Sequence, residues 1–118
     1  GLDIKALPEH YGQVVGRANA ATKAWESLEV LIEAADRGGP DFEVRTTVVP
    51  GDVTADDAVE VARRVHAAGA RVYALQQARS EGTSGEFDVV APGWDGMCER
   101  MAERIEALGW DRFTYRPA

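Results

Sequence analysis

The sequence predicts an α/β fold with parallel strands, a β-α-β-α-β-α-β unit, on three observations. Segments with apolar residues at every second position alternate with segments of helical spacing. Gly and Pro clusters separate them. At 118 residues the chain can hold one hydrophobic core and is short for two. Strands that alternate with helices form parallel sheets joined by right-handed crossovers.

Leu2 and Ile4 alternate with Asp3 and Lys5, which predicts a short first strand ending near Ala6. A loop through Pro8, Gly12 and Gly16 follows. Ala21, Ala24, Trp25, Leu28, Leu31, Ile32 and Ala35 then recur as one apolar stripe, as in a helix with one buried face. Gly38-Gly39-Pro40 stops that helix. "FEVRTTVVP", Phe42 to Pro50, is the second strand, with Phe42, Val44 and Val48 on one face and Glu43, Arg45 and Thr47 on the other. After Pro50-Gly51, Thr54 followed three residues later by Asp57 predicts a capping box for the second helix. That helix runs to Gly69, with Ala58, Val61, Ala62 and Val65 facing inward. "RVYALQQ", Arg71 to Gln77, is the third strand. Residues 78–92 show no period and are read as a long loop, a length at which loops tend to be functional. Trp94, Met97, Met101, Ile105 and Leu108 mark the last helix, ended by Gly109, and "RFTYR" is the closing strand.

Composition narrows the function classes. Hydrophobic residues make up 45% and charged residues 28%, ordinary for a soluble α/β protein. No apolar run approaches the roughly 20 residues of a membrane span, and no secretory leader is visible; the single cysteine is what points to a cytoplasmic location as the expectation. A net charge of -7 with no long basic stretch argues against nucleic acid as a partner. The single cysteine, Cys98, can form no internal disulfide and by itself holds neither zinc nor an iron-sulfur cluster. "GLDIK" opens directly in a strand pattern without an initiator Met, so residues 1–118 are expected to be one domain cut from a longer protein.

The strands carry the functional signal. If Leu2 and Ile4 face a helix layer, Asp3 and Lys5 face away from it, and the same phase places Glu43, Arg45 and Thr47 there. A doubly wound sheet is apolar on both faces, so five polar side chains in two strands fit better on a sheet curled around a polar interior. Periodicity alone leaves open whether the sheet is open or part of a barrel. Barrel enzymes place their sites at the carboxyl ends of the strands, where Lys5, Thr47 and the pair Gln76-Gln77 fall. Such a ring of donors and acceptors suits a polar, partly anionic small molecule. The plainer alternative is that Asp3 with Lys5, or Glu43 with Arg45, are ion pairs on a solvated face.

The remaining polar and sulfur-bearing residues read as structural. His10, beside Pro8 and Tyr11, and His66, beside Arg63 and Arg64, show no nucleophile or carboxylate partner and are taken as surface residues. Cys98 and the two methionines lie on or beside the last helix's apolar stripe, where core packing is expected. Asp52, Asp56 and Asp57 at a helix start are explained by capping and the helix dipole. Gly12 and Gly16 loosen a loop and form no phosphate loop.

Three motifs in order, "LDIKA", "FEVRTTVVP" and "ALQQAR", resemble the C-terminal half of radical S-adenosylmethionine (SAM) proteins. Within that group they are most similar to the activating proteins of anaerobic ribonucleoside-triphosphate reductase and related glycyl-radical activases. The likeness runs from Leu2 to about Arg79, and "FTYRP" resembles the family's closing strand. It implies that the chain is the second half of a partial (β/α)6 barrel, starting at the fourth strand. It also implies that Asp3 and Lys5 lie beside bound SAM and that Arg45 points into the barrel. Thr47, Gln76 and Glu43 are placed in the same cavity by phase and similarity. The family's CxxxCxxC loop, which binds a [4Fe-4S] cluster, is missing from this sequence, and Cys98 matches none of its cysteines. The cluster is therefore expected only in an absent N-terminal half, and this chain alone is expected to be inactive.

By the resemblance, the intact protein would use the reduced cluster to cleave SAM to a 5′-deoxyadenosyl radical. That radical would take a hydrogen atom from a glycine of the partner, an anaerobic ribonucleotide reductase or another glycyl-radical enzyme. Asp3, Lys5 and Arg45 would position cofactor or substrate electrostatically. Two other readings stay open. One is a non-catalytic α/β module that binds a nucleotide-like ligand or forms a homodimer through an open sheet edge. The other is an open binding domain whose charged strands are simply exposed.

Overall fold

The computed structural model describes residues 1–13, 20–78 and 93–118. Four strands form one parallel sheet: β1 (Leu2–Asp3), β2 (Glu43–Val48), β3 (Val72–Gln77) and β4 (Arg112–Arg116). Three helices connect them: α1 (Ala20–Asp36), α2 (Val53–Ala68) and α3 (Trp94–Glu106). The spatial order of the strands is their chain order, β1-β2-β3-β4, with every neighbouring pair parallel.

That order decides where the helices go. Right-handed crossovers that all step the same way across a parallel sheet put every connecting helix on the same face. The core bears this out: Leu28 of α1, Val61 and Val65 of α2, and Cys98 and Ile105 of α3 share one buried cluster with Val44, Val48, Tyr73 and Leu75 of the sheet. A doubly wound sheet would carry helices on both faces. Among the described residues, one helical face, sequential strands and unclosed edges are consistent with a partial, open α/β barrel.

Local chemistry explains the elements. The strands are rich in Val, Thr, Tyr and Phe, side chains that fit a pleated, half-buried surface. Asp52 caps α2 by accepting the Thr54 backbone N–H at 3.1 Å. The cap thus lies two residues before the predicted Thr54, whose hydroxyl instead accepts the Val49 N–H at 3.0 Å and ties the turn to the helix. Gly69 ends α2 at φ 115°, a left-handed conformation that favours glycine. After α1, the Gly39 N–H donates to the Ala34 carbonyl, and a Cβ on Gly39 would sit 2.7 Å from that oxygen.

The first strand is shorter than predicted. Regular pairing covers Leu2 and Asp3, extended by the Ile4 N–H donating to the Arg45 carbonyl at 2.9 Å. The segment expected as a plain loop forms a 3-10 helix over Pro8–Gln13. Gly16 and all but the first residue of the predicted 78–92 loop lie outside the described residues. Ala78 itself continues the ladder by donating to the Val48 carbonyl at 3.0 Å. Among the described residues, no helix is long and apolar enough to cross a membrane.

Candidate functional site

The sheet's second face is polar. Asp3 is in register with Arg45, Thr47 with Gln76, and Gln76 in turn with Arg116. Side chains at matched positions of parallel neighbours point to the same face, about 4.8 Å apart. Asp3, Lys5, Glu43, Arg45, Thr47, Gln76, Thr114 and Arg116 therefore share the face opposite the helices, with Val72 and Ala74 in its centre.

The ion pairs on this face differ in part from the expected ones. Lys5 Nζ lies 3.0 Å from Asp3 Oδ2, as the solvated-pair reading anticipated. Glu43 does not pair with Arg45. It receives two hydrogen bonds from the Arg116 guanidinium, at 3.1 and 3.2 Å. Glu43 begins β2 and Arg116 ends β4, so this contact spans β3 diagonally across the open face. That contact is a fork-to-fork carboxylate pair and holds the Arg116 guanidinium further above its already high pKa. Arg45 is left exposed and makes no ion pair among the described residues. Asp3 Oδ1 is buried without a hydrogen-bond partner there. The face thus offers two exposed cations without an ion pair among the described residues, Arg45 and, in register with Val72, Arg112, and beside Arg45 one unfilled acceptor, Asp3 Oδ1.

Gln76 and Gln77 separate. Gln76 lies on the polar face, half-buried beside Thr47. Gln77 points into the helix side, where its amide donates to Asp95 Oδ1 at 3.0 Å and its carbonyl accepts the Tyr115 hydroxyl at 2.8 Å. Burial pushes the neighbouring Cys98 thiol up to about 11 and the Tyr115 hydroxyl up to about 12. Cys98 is fully buried, as the core reading expects, and Met101 packs partly against the core, but Met97 is exposed.

The carboxyl edge of β1 is held by His10, Asp57, Tyr11 and Trp25. His10, read as a surface residue without a carboxylate partner, has Nδ1 at 2.9 and 3.0 Å from the two oxygens of Asp57. Asp57, read as a capping residue, is buried and also accepts the Leu7 backbone N–H at 3.0 Å. The carboxylate can only accept, which makes Nδ1 the proton-bearing nitrogen of His10. Tyr11 accepts the Lys5 N–H at 3.0 Å and Trp25 Nε1 donates to the Ala6 carbonyl at 3.2 Å. Three side chains, Asp57, Tyr11 and Trp25, therefore fix the backbone that carries Lys5 out of the strand, and His10 holds Asp57. His66 is half-buried: its Nε2 lies 3.1 Å from the Gly109 carbonyl and its ring stands edge-on to Trp110.

Sequence reasoning missed Thr46, Tyr73 and Asp57. Thr46 sits on the apolar face of β2, donates to the Ile4 carbonyl at 2.8 Å and bonds the buried Tyr73 hydroxyl. Burial raises the Tyr73 hydroxyl above the ordinary phenol range. A threonine in phase with Val44 and Val48 was the available signal, since an apolar face tolerates a hydroxyl only when it is bonded. Asp57 left no comparable trace, because its partners come from residues 7 and 10, 50 and 47 positions away.

Among the described residues, no group of three or more His, Cys, Asp or Glu side chains converges as a metal site. Comparison with protein-family models, with curated proteins and with solved structures finds no match.

Proposed function

We propose that this chain is the cofactor- and substrate-facing half of a radical SAM barrel of the glycyl-radical activase group, the family its three ordered motifs resemble. The observation that carries the reading is the one-sided sheet. The face that carries no helix among the described residues brings Asp3 into register with Arg45 and Thr47 with Gln76, on the strands where the resemblance falls.

The residues fit SAM as a ligand. SAM carries a carboxylate, an ammonium, a sulfonium and a hydroxyl-bearing nucleoside. Arg45 supplies an uncommitted guanidinium for an anionic group, and the buried, unpartnered Asp3 Oδ1 supplies an acceptor for a donor group. Lys5 is held by Asp3, so its ammonium stays oriented on this face without a ligand. Thr47 and Gln76, at the carboxyl ends of their strands, add neutral donors and acceptors. Bound SAM supplies, in that family, the radical that removes a hydrogen atom from a glycine of the partner enzyme. The role of this chain's residues is to bind and orient, by charges set in place before the ligand arrives. A [4Fe-4S] cluster needs several thiolates and this sequence has one cysteine, so the chain does not furnish the cluster's ligands.

The test is a titration of isotopically labelled chain with SAM, followed through backbone amide NMR signals. Shifts concentrated at Asp3–Lys5, Arg45–Thr47 and Gln76, weakened at least tenfold by Arg45→Ala, are expected. Shifts confined to other surfaces, or an affinity unchanged in Arg45→Ala and Lys5→Ala, would remove the basis for the reading. The second reading, an oligomerising module, draws on the outer edges of β1 and β4, which no strand covers among the described residues. A monomeric mass by light scattering across a wide concentration range would dispose of it.

A further inference from the structure

Away from the sheet, α2 and α3 lie side by side and leave a groove of about 510 Å³ between their outer faces. We propose that this groove is a docking site for an acidic amphipathic helix of a partner protein. Its floor is apolar, formed by Ala55 and Val59 of α2 and Met97 and Met101 of α3. Met97 is 46% exposed, unusual for a large apolar side chain in this chain, where Val30 is the other such case among the described residues. Methionine is a flexible, polarizable contact suited to binding surfaces that adapt to a partner.

Charge selects the occupant. The residues of α3 divide by side: Arg100 and Arg104 line the groove, whereas Glu99, Glu103 and Glu106 line a separate cleft beside Phe113 and Tyr115 of β4. This sorting places a cationic strip along one wall of the groove in a chain whose net charge is -7. Arg100 and Arg104 make no ion pair among the described residues, and Arg63, across the groove, has only a loose contact with Glu60 at 3.6 Å. Asp56 and Glu60 stand on the α2 wall. A helix lying in the groove must therefore turn its carboxylates toward α3, which fixes its orientation as well as its sign.

Length sets the footprint. The lining residues run from 55 to 63 on one helix and from 97 to 104 on the other, a little over two turns or roughly 12 Å. That matches the apolar ridge of a short helical segment with apolar residues at i, i+4 and i+7, the spacing by which helices lie in grooves. The two α3 arginines are spaced one turn apart along an apolar floor instead of converging on one point, which favours an extended acidic segment over a single phosphate. The groove lies on the helical side of the sheet, so the inference stands independently of the cofactor reading.

The test is selection of a random 16-residue peptide library on the whole chain, with counter-selection on the Arg100→Glu/Arg104→Glu variant. The expected result is enrichment of sequences with Asp or Glu flanking apolar residues at i and i+4. Their binding should perturb amides of 55–63 and 97–104 and fall at least tenfold in the double variant. Replacing the acidic residues of a selected peptide by Lys should restore its binding to that variant. Enrichment of neutral or basic sequences, equal binding to the variant, no enrichment above background, or saturable binding of inorganic polyphosphate at the same residues in place of peptide would each overturn the proposal. An unaltered response of the polar sheet face to SAM in the double variant separates this outcome from the fate of the cofactor reading.

Discussion

Replacing Asp57 by Ala gives the most exacting check on how the candidate site is held. In the folded chain this carboxylate is buried, accepts the Leu7 N–H at 3.0 Å and binds His10 Nδ1 at 2.9 Å. The substitution leaves the Leu7 amide, itself buried, without an acceptor, which costs about 1–3 kcal/mol. Releasing His10 adds roughly 1 kcal/mol, because a hydrogen bond to a charged group is stronger than a neutral one but His10 is partly solvated. The expected total is about 3 kcal/mol, against about 1 kcal/mol for His10→Ala, which leaves the Leu7 bond intact. With a urea m-value of about 2 kcal/mol/M for a domain of this size, Asp57→Ala moves the unfolding midpoint by about 1.5 M. Asp56→Ala is the control: Asp56 is exposed in the first turn of α2 and contributes only through the helix dipole, about 0.3–1 kcal/mol. Equal midpoints for Asp56→Ala and Asp57→Ala would refute the reasoning. So would unchanged amide exchange at Leu7, because the substitution removes that amide's acceptor.

Three further outcomes are expected. Thr46→Val strips the Tyr73 hydroxyl of its buried partner and should cost about 1–3 kcal/mol in urea unfolding, whereas Thr47→Val, on the polar face, should stay within about 0.5 kcal/mol. The Cys98 thiol is buried and pushed up to about 11, so iodoacetamide at pH 8 should label it only after unfolding; rapid labelling of the native chain would show that α3 does not pack Cys98 against the core as described. The Arg64 guanidinium holds the exposed Glu9 carboxyl down at about 2, from an ordinary 4.5. A depressed carboxyl stabilises the fold above its unfolded value and loses that contribution as pH falls through its folded value. Any stability advantage over Glu9→Gln should therefore be constant above about pH 4.5 and vanish by about pH 2 in an acid-unfolding series.

The sequence by itself determined the alternation of strands and helices. Apolar period and Gly/Pro punctuation are local signals, and each predicted element falls within a few residues of its observed bounds. It also determined which strand residues share a face, since side chains in an extended chain alternate strictly: Asp3, Arg45 and Thr47 lie together because Leu2, Val44 and Val48 must face the helices. The resemblance to radical SAM proteins came from the same residues and remains a proposal about their chemistry. Partners were not legible at this level. Glu43 joins Arg116 and not Arg45, because a long guanidinium can cross β3 once β4 is laid beside it. His10 and Asp57, and Thr46 and Tyr73, meet only when crossovers bring segments 27 to 47 residues apart into contact. The absence of a helix from one sheet face, among the described residues, is likewise a tertiary fact. It follows from strands added in chain order, and no single strand's pattern distinguishes a face without helices from one covered by a second helix layer.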